Sequence, residues 1–88
     1  MKYLVTGTLM LQNGDALIPA DDAEIRLFRG DRLYSMTITD PSGRFRHALC
    51  ANSGEYEFEF VADGYPLKRC TAAVLEADQD LGVITLPL

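Results

Sequence analysis

Apolar and polar residues alternate with a period of two along most of the chain. The alternation is interrupted about every 8 to 12 residues by Gly, Asp, Asn or Pro, the rhythm of short antiparallel strands joined by tight turns. No segment carries a helical stripe of useful length. The first strand is expected over residues 3–11, ending at Gln12-Asn13-Gly14-Asp15, where Asn and Gly accept positive φ. A loop with Pro19, Asp21 and Asp22 leads to a second strand over 23–29, with Ala23, Ile25 and Leu27 on one face and Glu24, Arg26 and Phe28 on the other. After Gly30-Asp31 a third strand, 32–39, forms a hairpin with the second. Its parity is mixed: Tyr34, Met36 and Ile38 read as the inward set, and Leu33 disagrees.

Asp40-Pro41-Ser42-Gly43 is a strong turn, because Pro presets φ, Asp bonds its own backbone and Gly supplies the last position. A fourth strand, 44–50, and a fifth, 55–62, flank Ala51-Asn52-Ser53-Gly54, and this four-residue loop predicts a hairpin with Cys50 opposite Glu55. That register sets Phe45 against Phe60, His47 against Phe58 and Leu49 against Tyr56 on one face, and Arg46 against Glu59 on the other. Asp63-Gly64-Tyr65-Pro66 ends the fifth strand. A sixth, 67–75, and a seventh, 81–88, lie either side of the acidic loop Glu76-Ala77-Asp78-Gln79-Asp80. Seven short strands in 88 residues predict one all-β domain over 1–88, a seven-stranded antiparallel Greek-key sandwich.

Composition narrows the partners. Thirteen acidic residues against eight Lys and Arg give a net charge of −5, which repels phosphate backbones and anionic lipid. Nucleic acid and membrane insertion are therefore not expected. No apolar run approaches the roughly 20 residues that span a bilayer, and the start is too short in apolar residues for a signal peptide. If the chain is complete, it is expected in the cytoplasm; if it is cut from a longer protein, its compartment is not readable. The absence of Trp leaves Phe and Tyr to fill the core.

Candidate chemistry is sparse. His47 is the sole histidine, and its strand parity turns it into the sandwich beside Phe58, the place of a core histidine. No nucleophile elbow, zinc-protease motif or phosphate-cradling glycine loop occurs, and Ser35, Ser42 and Ser53 have no histidine partner in sequence. No catalytic residue and no cofactor is expected. Carboxylates cluster at Asp21-Asp22, at Glu55, Glu57 and Glu59, and at Glu76, Asp78 and Asp80, but alternate residues on a strand diverge from a shared cation. The glutamate row reads as a solvated face partly neutralised by Arg44 and Arg46, and no metal is expected. Cys50 and Cys70 lack metal-ligand spacing; a disulfide between them and two reactive thiols both stay open.

The surface is more informative. Phe28 takes the outward parity of its strand, and with Tyr34 or Met36 beside it would form a protein-interaction patch. The third strand is expected to serve as an outer face or as an edge that pairs with another chain, including a second copy. The expected partner is a protein or another domain of a parent chain. Carbohydrate binding is the competing reading, weakened because sugar platforms rely on exposed rings, Trp above all.

Val5, Gly7 and Leu9; Gly14; Ala23, Ile25 and Leu27; Thr39, Asp40, Gly43 and Phe45; Gly54 and Tyr56; and Gly64 and Tyr65 follow one another in an order that resembles the carboxypeptidase regulatory-like domain, a transthyretin-like sandwich. The resemblance covers essentially the whole chain. It departs between Gly14 and Ala23, where Ala16 replaces the usual Pro and Ile18-Pro19-Ala20-Asp21-Asp22 lengthens the loop. The resemblance implies the fold and an accessory, linker or surface role, so the chain is expected to be a noncatalytic structural or protein-interaction module. Within the same fold, a transthyretin-related hydrolase acting on 5-hydroxyisourate is the enzymatic alternative. That family's site uses several histidines and an arginine plus a tyrosine-rich C-terminal signature; this chain has one histidine and ends Ile84-Thr85-Leu86-Pro87-Leu88, which argues against the hydrolase.

Overall fold

The computed structural model describes residues 3–49, 54–74 and 78–88. Eight strands run in order: β1 (Tyr3–Asn13), β2 (Ala16–Pro19), β3 (Glu24–Arg29), β4 (Arg32–Ile38), β5 (Arg44–Leu49), β6 (Gly54–Val61), β7 (Lys68–Val74) and β8 (Gln79–Pro87). They form two four-stranded sheets. One is ordered β4-β3-β6-β7; in the other, β1 pairs with β8 along one edge and with β5 and then β2 along the opposite edge. The all-β sandwich expected from the alternation is present, with one strand more than the seven expected. The addition is β2, where Ala16–Pro19 folds back on Met10–Asn13 across the Gly14-Asp15 turn. All four of its side chains are exposed, so it shows no inside-outside alternation to read. The β1–β8 pair is parallel, an exception to the expected antiparallel order.

One expected pairing is corrected. β5 and β6 are not a hairpin: β5 bonds to β1, and β6 lies between β3 and β7 in the facing sheet. The ring contacts attributed to that hairpin nevertheless exist, because the two strands face each other through the core: Phe45 lies 6.0 Å from Phe60 and His47 6.0 Å from Phe58. The polar half of the expectation fails for the same reason. Arg46 lies on the exposed face of β5, while Glu59 bonds to Arg26 at 3.0 Å and to Arg69 at 3.0 Å within its own sheet. The expected Leu49–Tyr56 and Cys50–Glu55 pairings fall on residues whose side chains lie outside the description.

The core between the sheets is built from Val5, Leu9, Ile25, Leu27, Phe45, Tyr56, Phe58, Phe60 and Leu86. Gly7 sits between Val5 and Leu9 on the inward face because Phe45 occupies the space a side chain would need: a Cβ there would stand 2.5 Å from the Phe45 ring. Thr39, also buried, locks the closed end of the sandwich by donating from Oγ1 to the Ala20 carbonyl at 2.6 Å and accepting from the Ala23 N–H at 2.9 Å.

Candidate functional site

β4 is an edge strand, bonded to β3 and to no other described strand. Its register explains the mixed parity of its sequence. Leu27 pairs with Ser35, but Phe28 pairs with Leu33, so Tyr34 is an extra residue that bulges out of the ladder. Beyond the bulge the faces exchange. Leu33, Met36 and Ile38 lie beside Phe28, Arg26 and Glu24 on the outer face, whereas Ser35 and Thr37 follow Leu27 and Ile25 inward. Leu33 is 52% exposed and Met36 and Ile38 are each 51% exposed, an apolar row along an open backbone edge.

Of the three residues expected to form the interaction patch, the structure brings two to one face. Phe28 and Met36 share the outer surface, with Phe28 under the Arg69 guanidinium at 5.1 Å from its ring centre. Tyr34 does not join them. The bulge turns it toward the core side, where it meets Tyr56 edge-on at 5.6 Å. Leu33 and Ile38 take its place in the row. The odd parity of Leu33 was their signal, since one bulge reconciles it with Met36 and Ile38. The same arrangement bears on carbohydrate stacking: Phe28 is capped by Arg69 and Tyr34 is held against Tyr56, so neither offers a flat open ring.

Inward of the apolar row the outer face is charged and internally paired. Arg26 bonds Glu24 at 2.8 Å and Glu59 at 3.0 Å, and Arg69 bonds Glu59 at 3.0 Å and Glu57 at 3.1 Å. These bonds to Glu24 and Glu59 hold the Arg26 pKa above its ordinary value. Arg26 and Arg69, not Arg44 and Arg46, pair with Glu57 and Glu59 of the glutamate row, because β5 belongs to the other sheet.

A second feature, adjoining the β4 edge, is an open groove of about 750 Å³ lined in part by Thr37 and Ile38 of β4, Asp40 just after it, Thr6 of β1, Arg44 and Arg46 of β5, and Asp80 of β8. Neither arginine forms an ion pair among the described residues. Asp80 is engaged locally, accepting from the Gly82 N–H at 2.9 Å.

His47 stands apart from both features. It is 2% exposed on the core side of β5, with Nδ1 3.2 Å from the Ser35 hydroxyl and Nε2 making no hydrogen bond. Burial pushes its pKa down to about 4, against a weaker opposing pull from the Ile25 backbone. The ring is therefore neutral at pH 7 and shielded from any substrate. Cys70 is partly buried against the core, and Cys50 lies outside the described residues. Among the described residues no three His, Cys, Asp or Glu side chains converge to hold a metal ion. The loop acid Asp78 instead accepts a backbone hydrogen bond from Leu4 at 2.8 Å. No described helix is long and apolar enough to cross a membrane.

No known family's sequence profile matches the chain, and no curated protein matches it. Among solved structures it is similar to the 5-hydroxyisourate hydrolase of Klebsiella pneumoniae, with a TM-score of 0.68 and 14% identity over 94% of this chain and 90% of that one. At that identity the likeness shows a shared transthyretin-like fold. It also corrects one expectation. A noncatalytic assignment does not follow from the fold, because a protein with this architecture along nearly its whole length is an enzyme.

Proposed function

We propose that the chain is a protein-interaction module whose docking edge is β4. What supports the reading is the row Leu33, Met36 and Ile38, about half exposed, on a strand with one open backbone edge. Sheets commonly guard such edges with charge, Pro or bulges, because an open edge recruits strands from other chains. The other described edges carry those guards. β7 presents Lys68 and Arg69; β5, bonded only to β1, presents Arg44 and Arg46; β8 bulges at Gly82, where its register against β1 shifts; and β2 is four residues long and ends in Pro19. β4 has a bulge at Tyr34, but Ser35–Ile38 beyond it is regular and apolar on its outer face. An incoming strand would gain main-chain hydrogen bonds from this edge and side-chain selectivity from the apolar row. This role also suits the carboxypeptidase regulatory-like resemblance, whose members usually act as accessory or surface modules.

The test places a photo-crosslinking amino acid at Met36 in the source cell. The expected result is a discrete protein adduct that is absent when the same probe replaces Thr71 on β7. Identical adducts from both sites, or none from Met36, would remove β4 as the docking edge.

A second reading is favoured by the groove, which Arg44 and Arg46 line without a direct ion pair to a described residue, although Arg44 feels the Asp40 carboxylate on the same wall. Guanidinium groups so placed suit a small anion or a polarised carbonyl. If the groove carries the activity of the Klebsiella protein, the chain accelerates loss of 5-hydroxyisourate, and replacing both arginines by alanine lowers the rate more than about tenfold. A rate equal to buffer alone sets this reading aside.

A further inference from the structure

We infer that the strand docking on β4 is β4 of a second copy of this chain, antiparallel about a two-fold axis through Thr37. The inference rests on β4 being the docking edge, and adds the partner and the register. The Thr39 N–H donates to the Ala23 carbonyl at 2.9 Å, which fixes the phase of the β3–β4 ladder. Because antiparallel pairs alternate between bonded and non-bonded types, Thr37 opposite Ile25 and Ser35 opposite Leu27 turn their N–H and C=O toward β3. Met36 opposite Arg26 and Ile38 opposite Glu24 turn theirs to the open edge. Beyond the bulge the edge therefore offers four main-chain groups, two from Met36 and two from Ile38.

A two-fold pairing must match these groups with themselves, which leaves few registers. Centred on Met36, it sets Ile38 against the bulged Tyr34, outside the regular ladder. Centred on Ile38, it sets Met36 against Asp40, whose N–H already donates to the Arg44 carbonyl and whose carbonyl already accepts from the Gly43 N–H. Centred on Thr37, it sets Met36 opposite the partner's Ile38 and Ile38 opposite the partner's Met36. All four groups beyond the bulge then bond.

The side chains agree with that register. On the outer face each Met36 packs beside an Ile38, covering side chains that are half exposed in the single chain. The row crossing the junction reads Glu24, Ile38, the partner's Met36, the partner's Arg26, so an apolar centre is flanked by opposite charges, and the two-fold repeats the pattern. On the inner face Thr37 meets the partner's Thr37, a favourable cross-strand pair. A junction this short buries less than about 1,200 Å², so the dimer is weak and its population rises with concentration.

The register is tested by Thr37→Cys in a Cys50→Ser, Cys70→Ala background. Across a non-bonded antiparallel pair the two Cα atoms lie about 4.5 Å apart, within reach of a disulfide, so mild oxidation yields a covalent dimer. Ser35→Cys in the same background sits two residues off the axis, about 13 Å from its own copy, and yields none. By sedimentation, the wild type moves from monomer toward dimer over about a hundredfold rise in concentration, while a Met36→Lys, Ile38→Lys double variant stays monomeric at an unchanged thermal midpoint. Equal crosslinking at both positions, or a wild type that is monomeric throughout that range, overturns self-pairing. In that event a Met36 photo-adduct to a different protein leaves β4 standing as the docking edge, and the absence of any such adduct removes both readings.

Discussion

Gly43→Ala is expected to destabilise the fold by about 3 to 5 kcal/mol, a large part of the total stability of a domain this size. Two independent causes add at this position. Gly43 has φ +82°, a conformation that costs an alanine roughly 1 kcal/mol or more. A Cβ there would also fall well inside contact distance of the Leu9 carbonyl oxygen, which is backbone and cannot swing aside. That carbonyl is held where it is because it accepts from the Ala20 N–H at 3.0 Å, while the Leu9 N–H donates to the Gly43 carbonyl at 2.7 Å. The Asp40–Gly43 turn thus rests directly on the middle of β1, and moving it loosens the link between the sheets. Gly64→Ala separates the two causes. Gly64 has φ +79° but nothing within 4 Å of its Cβ position, so it should lose only the conformational part, about 1 kcal/mol. Denaturant unfolding of the two variants beside the wild type reads the difference directly. Equal losses would show that the Leu9 contact relaxes freely and that only φ matters at Gly43.

The same turn shows what the sequence made legible and what it did not. Asp40-Pro41-Ser42-Gly43 was readable because each residue has a local reason to be there: Asp40 Oδ1 accepts from the Ser42 N–H at 2.9 Å, from its hydroxyl at 2.7 Å and from the Arg44 N–H at 3.0 Å. Those bonds, the Ser42 hydroxyl first, hold the Asp40 pKa below its ordinary value. Strand positions were legible for a similar reason, since the facing of Val5, Leu9, Ile25, Leu27, Phe45 and Phe58 follows from period two alone. Partner choice is not local. A short loop and two aromatic faces fit a hairpin and a sheet-to-sheet crossing equally well, because Phe45 and Phe60 meet at similar range in either case. The one feature that distinguishes them is the polar face. Arg46 and Glu59 would touch in a hairpin and point away from each other in a sandwich, and Glu59 in fact bonds Arg26 and Arg69.

The faces of β3 and β4 were half legible. Phe28 was read outward by parity and lies on the outer face. Met36 and Ile38 were read with Tyr34 as the inward set, yet they share the outer face with Leu33 while Tyr34 alone turns toward the core, because a single-residue bulge reverses inside and outside for everything beyond it. The catalytic question was less legible still. Missing motifs describe the chemistry of known sites, and a fold shared with a hydrolase at 14% identity carries neither that chemistry nor its absence.

Acid should destabilise the protein through His47 as pH falls from 6.5 to about 4. The folded ring has a pKa of about 4 against 6.5 in its ordinary environment, chiefly because burial beside Phe58 disfavours the imidazolium. The unfolded chain therefore binds a proton that the folded chain refuses. This contribution to stability is fully present above pH 6.5 and is lost as pH falls through about 4, a total of about 3 kcal/mol. The local hydrogen bonds offer little relief. Nδ1 already faces the Ser35 hydroxyl at 3.2 Å, and the Ile25 backbone, which favours the charged ring, offsets burial only in part. Asp40 also loses stability on acidification, but its window lies below its ordinary value of 3.8 and so follows that of His47. A His47→Leu variant keeps an apolar side chain against Phe58 and removes the titrating group. Its unfolding free energy is expected to stay nearly flat between pH 6.5 and about 4, where the wild type falls by up to about 1.4 kcal/mol per pH unit. Parallel decline of the two proteins across that window would show that His47 leaves the core or finds a partner when protonated, and that its burial is not what limits acid stability.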